Sequence, residues 1–389
     1  MTKKWSSRLT FFAFVVLMVG LGSNDSLRGI FSTIFQEHFS LTTTQLGLIV
    51  TASYIGNLVF LLVGGNLSTR FSKKRVLQVL ILIWMAALAL FAFTSNYTVL
   101  LIGMALALGS STLLNTTMNL ITPLLFATAP GFFVNFLFFT QEIGTSGSQY
   151  ILGSHADGFA FWQHTNLVLL ILGAVAFVLL LFCNVPEEAA DPADTPAQKG
   201  GYDWRIIVPY VLVFGFYFIA EHGVMNWMVA YGVDGLGLPQ ASAAKYLSVF
   251  FGGMMIGRLC LSPLVDKLGP LKSLAAFGGV SCVLYLIGSL GGAATMPVWA
   301  ISGLSFSILY PTLVMSIRLY FPAQQVSGAA GTILSIASLA DVLFNVGFGK
   351  LVDMAGYAVS IRVLPLSVLA FFIVFMLFTK FCKPTQKLK

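Results

Sequence analysis

Charge is what this 389-residue chain has least of: Asp, Glu, Lys and Arg together make up 9% of it. With 57% of its residues apolar and a mean hydropathy of +0.89, it cannot clothe a soluble domain of this size in polar surface. Cysteine is scarce as well. Cys183, Cys260, Cys282 and Cys382 stand apart, with no CxxC and no histidine at ligand spacing, so they read as small buried residues rather than a disulfide framework or thiolate metal site. The chain also lacks a nucleophile–base pairing, a Gly-rich phosphate loop and a metal-spaced cluster, so no enzyme activity, cofactor or metal is expected. The alternating polar and apolar segments of a β-barrel are missing, and lipid then permits only helices.

What is present is a succession of apolar stretches, each near the roughly 20 residues that a bilayer requires. They fall at 9–35, 42–67, 76–95, 97–121, 130–153, 165–184, 205–231, 241–265, 272–291, 295–320, 326–350 and 359–382. The expected fold is therefore all-α and membrane-embedded. The first stretch is too long for a signal peptide and is expected to stay in the mature protein. Basic residues from Lys3, Lys4 and Arg8 through Arg70–Arg75 to Lys383, Lys387 and Lys389 gather on one side, and only Lys245, Lys350 and Arg362 fall on the other. That bias places both termini in the cytoplasm. The net charge of +7 then reflects topology and contact with anionic membrane lipids, and calls for no nucleic-acid partner.

One polar insert, Pro186 to Tyr202, parts six spans from six and reads as a flexible linker. The resulting division is an N-terminal bundle at 1–185, a cytoplasmic linker at 186–204 and a C-terminal bundle at 205–389. Gly253 with Gly257, Gly144 with Gly147, and Gly328 with Gly331 are spaced to let helices approach closely.

Ionisable and amide groups inside such spans cost at least a few kcal/mol unless paired or wetted, and so usually mark a transport pathway. Span one carries Asn24, Asp25 and Arg28; the acid and base share a helix face, as a fixed pair or as a proton carrier with a changing partner. Span four carries Asn115 and Asn119 one turn apart, a row that suits sugar hydroxyls or helix-to-helix hydrogen bonds. Span five carries Gln141, Glu142 and Gln149, and Glu142 has no base at helical spacing. An acid held so is a proton carrier, or simply lies beside water. Span seven carries Tyr217, Glu221, His222, Asn226 and Trp227: Glu221 is a second proton candidate, His222 and Asn226 suit a polar ligand, and Trp227 either stacks on a sugar ring or sits in the interfacial aromatic belt. Asp341 and Asn345 lie one turn apart in span eleven, and Tyr310-Pro311 interrupts span ten with a potential hinge. Arg258 lies within helical reach of Asp266 and reads as a gate or structural charge pair.

The turn Gly65-Asn66-Leu67-Ser68-Thr69-Arg70-Phe71-Ser72-Lys73-Lys74-Arg75 is echoed after span eight by Ser262-Pro263-Leu264-Val265-Asp266-Lys267-Leu268-Gly269-Pro270-Leu271-Lys272. Six plus six spans with this repeated basic turn resembles the major facilitator superfamily. The first copy departs from the pattern, with Thr69 for Asp and Ser72 for Gly. The resemblance implies two six-helix bundles rocking about a site near the midplane, in a protein working as a monomer. Asn24-Asp25-Ser26-Leu27, Phe31, Phe35, Phe39-Ser40-Leu41-Thr42, Gln45, Gly47-Leu48-Ile49 and Tyr54-Ile55-Gly56 resemble the first two spans of the fucose:proton symporter family. Leu114-Asn115-Thr116-Thr117-Met118-Asn119 looks like that family's Leu-Glu-Thr-Ala-Ala-Asn. The resemblance implies proton-driven uptake of a monosaccharide, with Asp25 as proton site and Asn119, Asn135 and Gly144 matching. Asn115 replaces a titratable Glu, Phe138 replaces a sugar-contacting Gln, and Glu142 is extra, which leaves Glu142 or Glu221 to supply the missing acid. The rival reading is export of amphipathic compounds, for which the 14% aromatic content and Met-rich helices offer a greasy cavity.

Overall fold

In lipid a backbone amide finds no water, so each apolar stretch satisfies its own hydrogen bonds by coiling. The computed structural model describes residues 3–126, 130–183, 185–186 and 202–384, with side chains left undescribed at 3–6, 63–70, 130–132, 135, 266, 323–324 and 327. Among these residues there is no strand. The linker expected at 186–204 lies almost wholly outside the described residues. Eleven helical segments are long and apolar enough to cross a bilayer. A further 22-residue helix, Pro130–Ile151, makes twelve long helical segments among the described residues. Large apolar side chains such as Leu62, Val168, Ile171 and Leu343 remain exposed, as lipid-facing residues do.

The chain divides into two compact units, Met1–Asp191 and Pro192–Lys389. The first holds α1 (Lys3–Ile30), the short α2 (Ser32–His38), α3 (Thr43–Arg70), α4 (Lys73–Phe93), α5 (Tyr97–Leu125), α6 (Pro130–Ile151) and α7 (Phe159–Phe182). Span one therefore ends at Ile30, earlier than the expected residue 35. Here α3 packs on α5, α1 on α6, and α4 on α5 and α7. Small residues set the closest of these approaches. A Cβ at Gly144 would fall on the Val19 carbonyl and the Ser23 amide of α1, and one at Gly22 would fall on the Gln141 carbonyl of α6. The partner of Gly144 is thus Gly22 across the interface. Gly147 has nothing within 4 Å of a built Cβ, so it plays no part in this packing.

The second unit holds α8 (Trp204–Ala230), α9 (Gln240–Leu268), α10 (Pro270–Leu290), α11 (Met296–Ile301), α12 (Gly303–Phe306), α13 (Leu309–Ile317), α14 (Ala323–Ala355), α15 (Tyr357–Ser360) and α16 (Val363–Phe381). Here α8 lies against α14 and α16, and α9 against α11 and α12. Gly253 and Gly257 abut the backbone of Leu304, the close approach their spacing suggested. Gly328 faces the Tyr202 hydroxyl, whereas Gly331 is open. Span ten is broken, but not at Tyr310-Pro311. The breaks fall at Ser302 and at Ser307–Ile308, and Pro311 lies in the first turn of α13, where its missing N–H costs no intrahelical bond.

The two basic turns are built differently. Gly269 (φ 78°) closes α9 and opens α10 in the left-handed region, with Pro270 in the first turn of the next helix. At the equivalent place Ser72 has φ −58° and caps α4 by accepting from the Arg75 amide at 3.4 Å, so no glycine is required. Lys74 then donates to the Leu181 and Cys183 carbonyls at 3.0 and 2.7 Å, satisfying the end of α7.

Candidate functional site

The first unit gathers its polar side chains on a stripe of α5. Ser111, Asn115 and Asn119 recur every four residues at and beyond the centre of this 29-residue helix, and so share one face. Ser111 Oγ donates to Asp25 Oδ2 of α1 at 3.2 Å. Asn115 Nδ2 donates to Gln141 Oε1 of α6 at 2.7 Å, and Asn119 Nδ2 donates to Asn115 Oδ1 at 2.6 Å. Three helices are thereby joined by one ladder of hydroxyl, carboxylate and carboxamide groups. Its far end is open, because Asn119 Oδ1 is buried with no hydrogen-bond partner among the described residues. Asp25, Asn115, Asn119, Gln141 and Glu142 are all half-buried. Ser111 escaped sequence reasoning, although its place four residues before Asn115 was the available signal.

Gln141 is held in place by the α1–α6 interface. Ser23 Oγ donates to the Gly144 carbonyl at 3.3 Å, and Thr145 Oγ1 to the Gly22 carbonyl at 3.2 Å. Gln149, expected on the same stripe as Glu142, is instead fully buried, and both polar atoms of its side chain lack a hydrogen-bond partner among the described residues. Asn135 matched the resemblance, but its side chain lies outside the described residues.

Asn24 and Arg28 lie on the same helix as Asp25. Asn24 Nδ2 reaches Asp25 Oδ1 at 3.5 Å, and the Arg28 guanidinium lies 5.6 Å from the centroid of the Tyr54 ring, a cation–π distance. Both also line a recess with room for about one water molecule, shared with Met104, Trp162 and Asn166. Asn24, expected to bind substrate, thus touches the ladder through Asp25 and lies in the interior of the bundle with Arg28.

In the second unit the expected residues pair with one another. His222 Nδ1 is 2.9 Å from Asp341 Oδ1, and Trp227 Nε1 donates to Asn345 Oδ1 at 2.8 Å. Trp227 and Asn345 have no exposed surface, and the indole packs on Phe348 at 4.8 Å. Trp227 is here a buried link between α8 and α14, with no exposed ring face. Asn226 is likewise buried.

Tyr217 and the half-buried Tyr310 lie 5.9 Å apart, with Tyr217 stacked on Phe306 at 4.9 Å. Glu221 lies one turn after Tyr217 on α8. Arg258 lies on α9. The Asp266 side chain, its expected partner, lies outside the described residues. No group of His, Cys, Asp and Glu fit to hold a metal occurs among the described residues.

Twelve apolar helices that bring carboxylates and carboxamides together within each of two units are the architecture of a membrane carrier. The chain belongs to the Major Facilitator Superfamily, whose profile matches residues 10–343. It is similar to the L-fucose-proton symporter of Escherichia coli (strain K12), with 24% identity over 333 residues covering 74% of this chain and 75% of that one. A glucose/galactose transporter of Brucella abortus (strain 2308) is 26% identical over 341 residues, covering 82% and 81%. The crystal structure of a D-xylose-proton symporter matches with a TM-score of 0.78 at 15% identity, over 99% of each chain, a likeness of fold.

Proposed function

We propose that the chain is a secondary active transporter that takes up a monosaccharide or a related small polar solute together with protons, by alternating access. It works as a monomer in the cell membrane with both termini cytoplasmic. The observation that carries this reading is the Asp25–Ser111, Asn115–Gln141, Asn119 ladder. It places a carboxylate one helical turn from paired carboxamides, so proton and solute would act on neighbouring positions of one stripe. The fucose-proton and glucose/galactose relatives support the substrate class.

In this reading Asp25 accepts the proton. When ionised it can only accept hydrogen bonds, as it does from Ser111; when protonated on Oδ2 it becomes a donor there, and the Ser111 hydroxyl turns to accept. The carboxamides of Asn115, Asn119 and Gln141 bind solute hydroxyls, beginning at the open Asn119 Oδ1 and competing for the Asn115–Gln141 bond. Glu142, half-buried on the same helix as Gln141, stands near enough in sequence to sense that exchange.

A thermal-shift screen of the detergent-purified protein tests the substrate class, since a ligand that binds only the folded state raises its apparent stability. L-fucose, D-galactose, D-glucose or D-xylose is expected to raise the transition, and Asn119→Ala to weaken that response about five- to tenfold. A response confined to amphipathic compounds would replace uptake of sugars with export.

A further inference from the structure

Helices α8 and α14 are joined by two polar links one turn apart. The inner link is neutral: Trp227 Nε1 to Asn345 Oδ1, with Asn345 Nδ2 returning to the Asp341 backbone carbonyl at 2.8 Å. The outer link is the imidazole of His222 against the carboxylate of Asp341. Asp341 is 2% exposed, whereas the His222 side chain keeps 23% of its surface and stacks on Phe218 at 5.4 Å with the rings 7° from parallel. A carboxylate so far from water in a membrane helix needs a positive charge or a proton beside it. Imidazole is the side chain that supplies either one near neutral pH.

We propose that His222 and Asp341 form a proton-holding dyad of the C-terminal bundle, in which the imidazole takes up and releases the proton and Asp341 is its positioning partner. In the loaded state an imidazolium donates Nδ1–H to Asp341 and the pair is neutral overall. In the unloaded state the proton has left from the other ring nitrogen, the Nδ1–H bond persists, and the pair carries one negative charge. The contact between α8 and α14 survives both states; only the buried charge changes.

The surroundings suit this role. Tyr217 and Glu221 come from α8 itself, Arg258 from α9 and Tyr310 from α13, and Phe218, stacked on His222, lies 6.2 Å from the Tyr310 ring. On α14 the next charge after Asp341 is Lys350, more than two turns away. Helix α16 presents no titratable side chain from Val363 to Thr379. The stacked Phe218 and the fixed Asn345 hold the imidazole and the carboxylate in register while the charge changes.

This inference rests on the proton-coupled reading above, and two measurements separate the fates of the two. In the first, the full chain is labelled with 15N-histidine in detergent, where it has four histidines to resolve, and His222→Gln assigns the relevant signal. The His222 Nδ1 is expected to stay protonated while the other nitrogen titrates between about pH 5 and about pH 9. Asp341→Asn is expected to displace that titration. An imidazole with one fixed protonation state across the range overturns the dyad, whatever the substrate.

In the second, proteoliposomes are tested with D-galactose as probe. Accumulation driven by a pH gradient is expected to fall at least about tenfold in His222→Gln and Asp341→Asn, with gradient-free counterflow retained and Asp341→Glu partly restoring coupling. Gradient-driven accumulation left intact in both variants also overturns the dyad. If the unaltered protein carries no galactose, galactose is not its solute, and the titration alone still decides the dyad.

Discussion

Replacing Gly144 with Ala tests the interface that aims Gln141 at the amide ladder. In an isolated helix the change would be favourable by about 1 kcal/mol, because Gly is the poorer helix former. In α6 the new methyl would meet two backbone atoms of α1, the Val19 carbonyl and the Ser23 amide, and neither can rotate away. The helices must part, which costs about 1–3 kcal/mol as overpacking. Parting also lengthens the Ser23–Gly144 and Thr145–Gly22 bonds, already at 3.3 and 3.2 Å. Such bonds between membrane helices are each worth about 0.6 kcal/mol. The sum, less the propensity gain, is a net loss of about 1–3 kcal/mol. Gly147→Ala, three residues along the same helix, meets nothing within 4 Å and keeps the propensity gain. The two variants should therefore differ by about 2–4 kcal/mol, or about 5 °C or more in tryptophan-detected thermal unfolding in detergent. Equal midpoints, or Gly147→Ala as the weaker variant, would refute the close contact between α1 and α6.

Two further outcomes follow from the second unit. Trp227→Phe keeps the packing on Phe348 but strands Asn345 Oδ1, and is expected to lower the unfolding free energy by about 1–2 kcal/mol while leaving the ligand-induced thermal shift unchanged; a lost shift with unchanged stability would return Trp227 to the binding site. Gly269→Ala forces a side chain into φ 78° and is expected to cost about 1–2 kcal/mol by the same measurement, whereas Ser72→Gly, at φ −58°, loses only a cap bond worth a few tenths.

What the sequence made legible was whatever depends on one helix at a time. The apolar runs marked the spans, and the four-residue recurrence placed Asn115 with Asn119 and Asp341 with Asn345. What stayed hidden was which helix each face meets. Gln141 joins Asn115 from 26 positions away, and His222 joins Asp341 across 119, so no local spacing could pair them. Trp227 is a like case: its bond to Asn345 spans 118 positions, beyond any local spacing. Pro311 misled because a proline marks a helix boundary only to within a few residues, and the turn fell before it.

The central claim is that Asp25 couples a proton to solute movement. Uptake of D-galactose, L-fucose, D-glucose and D-xylose into proteoliposomes under an imposed pH gradient tests it most directly. The unaltered protein is expected to concentrate at least one of them, and Asp25→Asn to exchange that solute across the membrane without concentrating it. Accumulation by Asp25→Asn at the unaltered level would contradict the account.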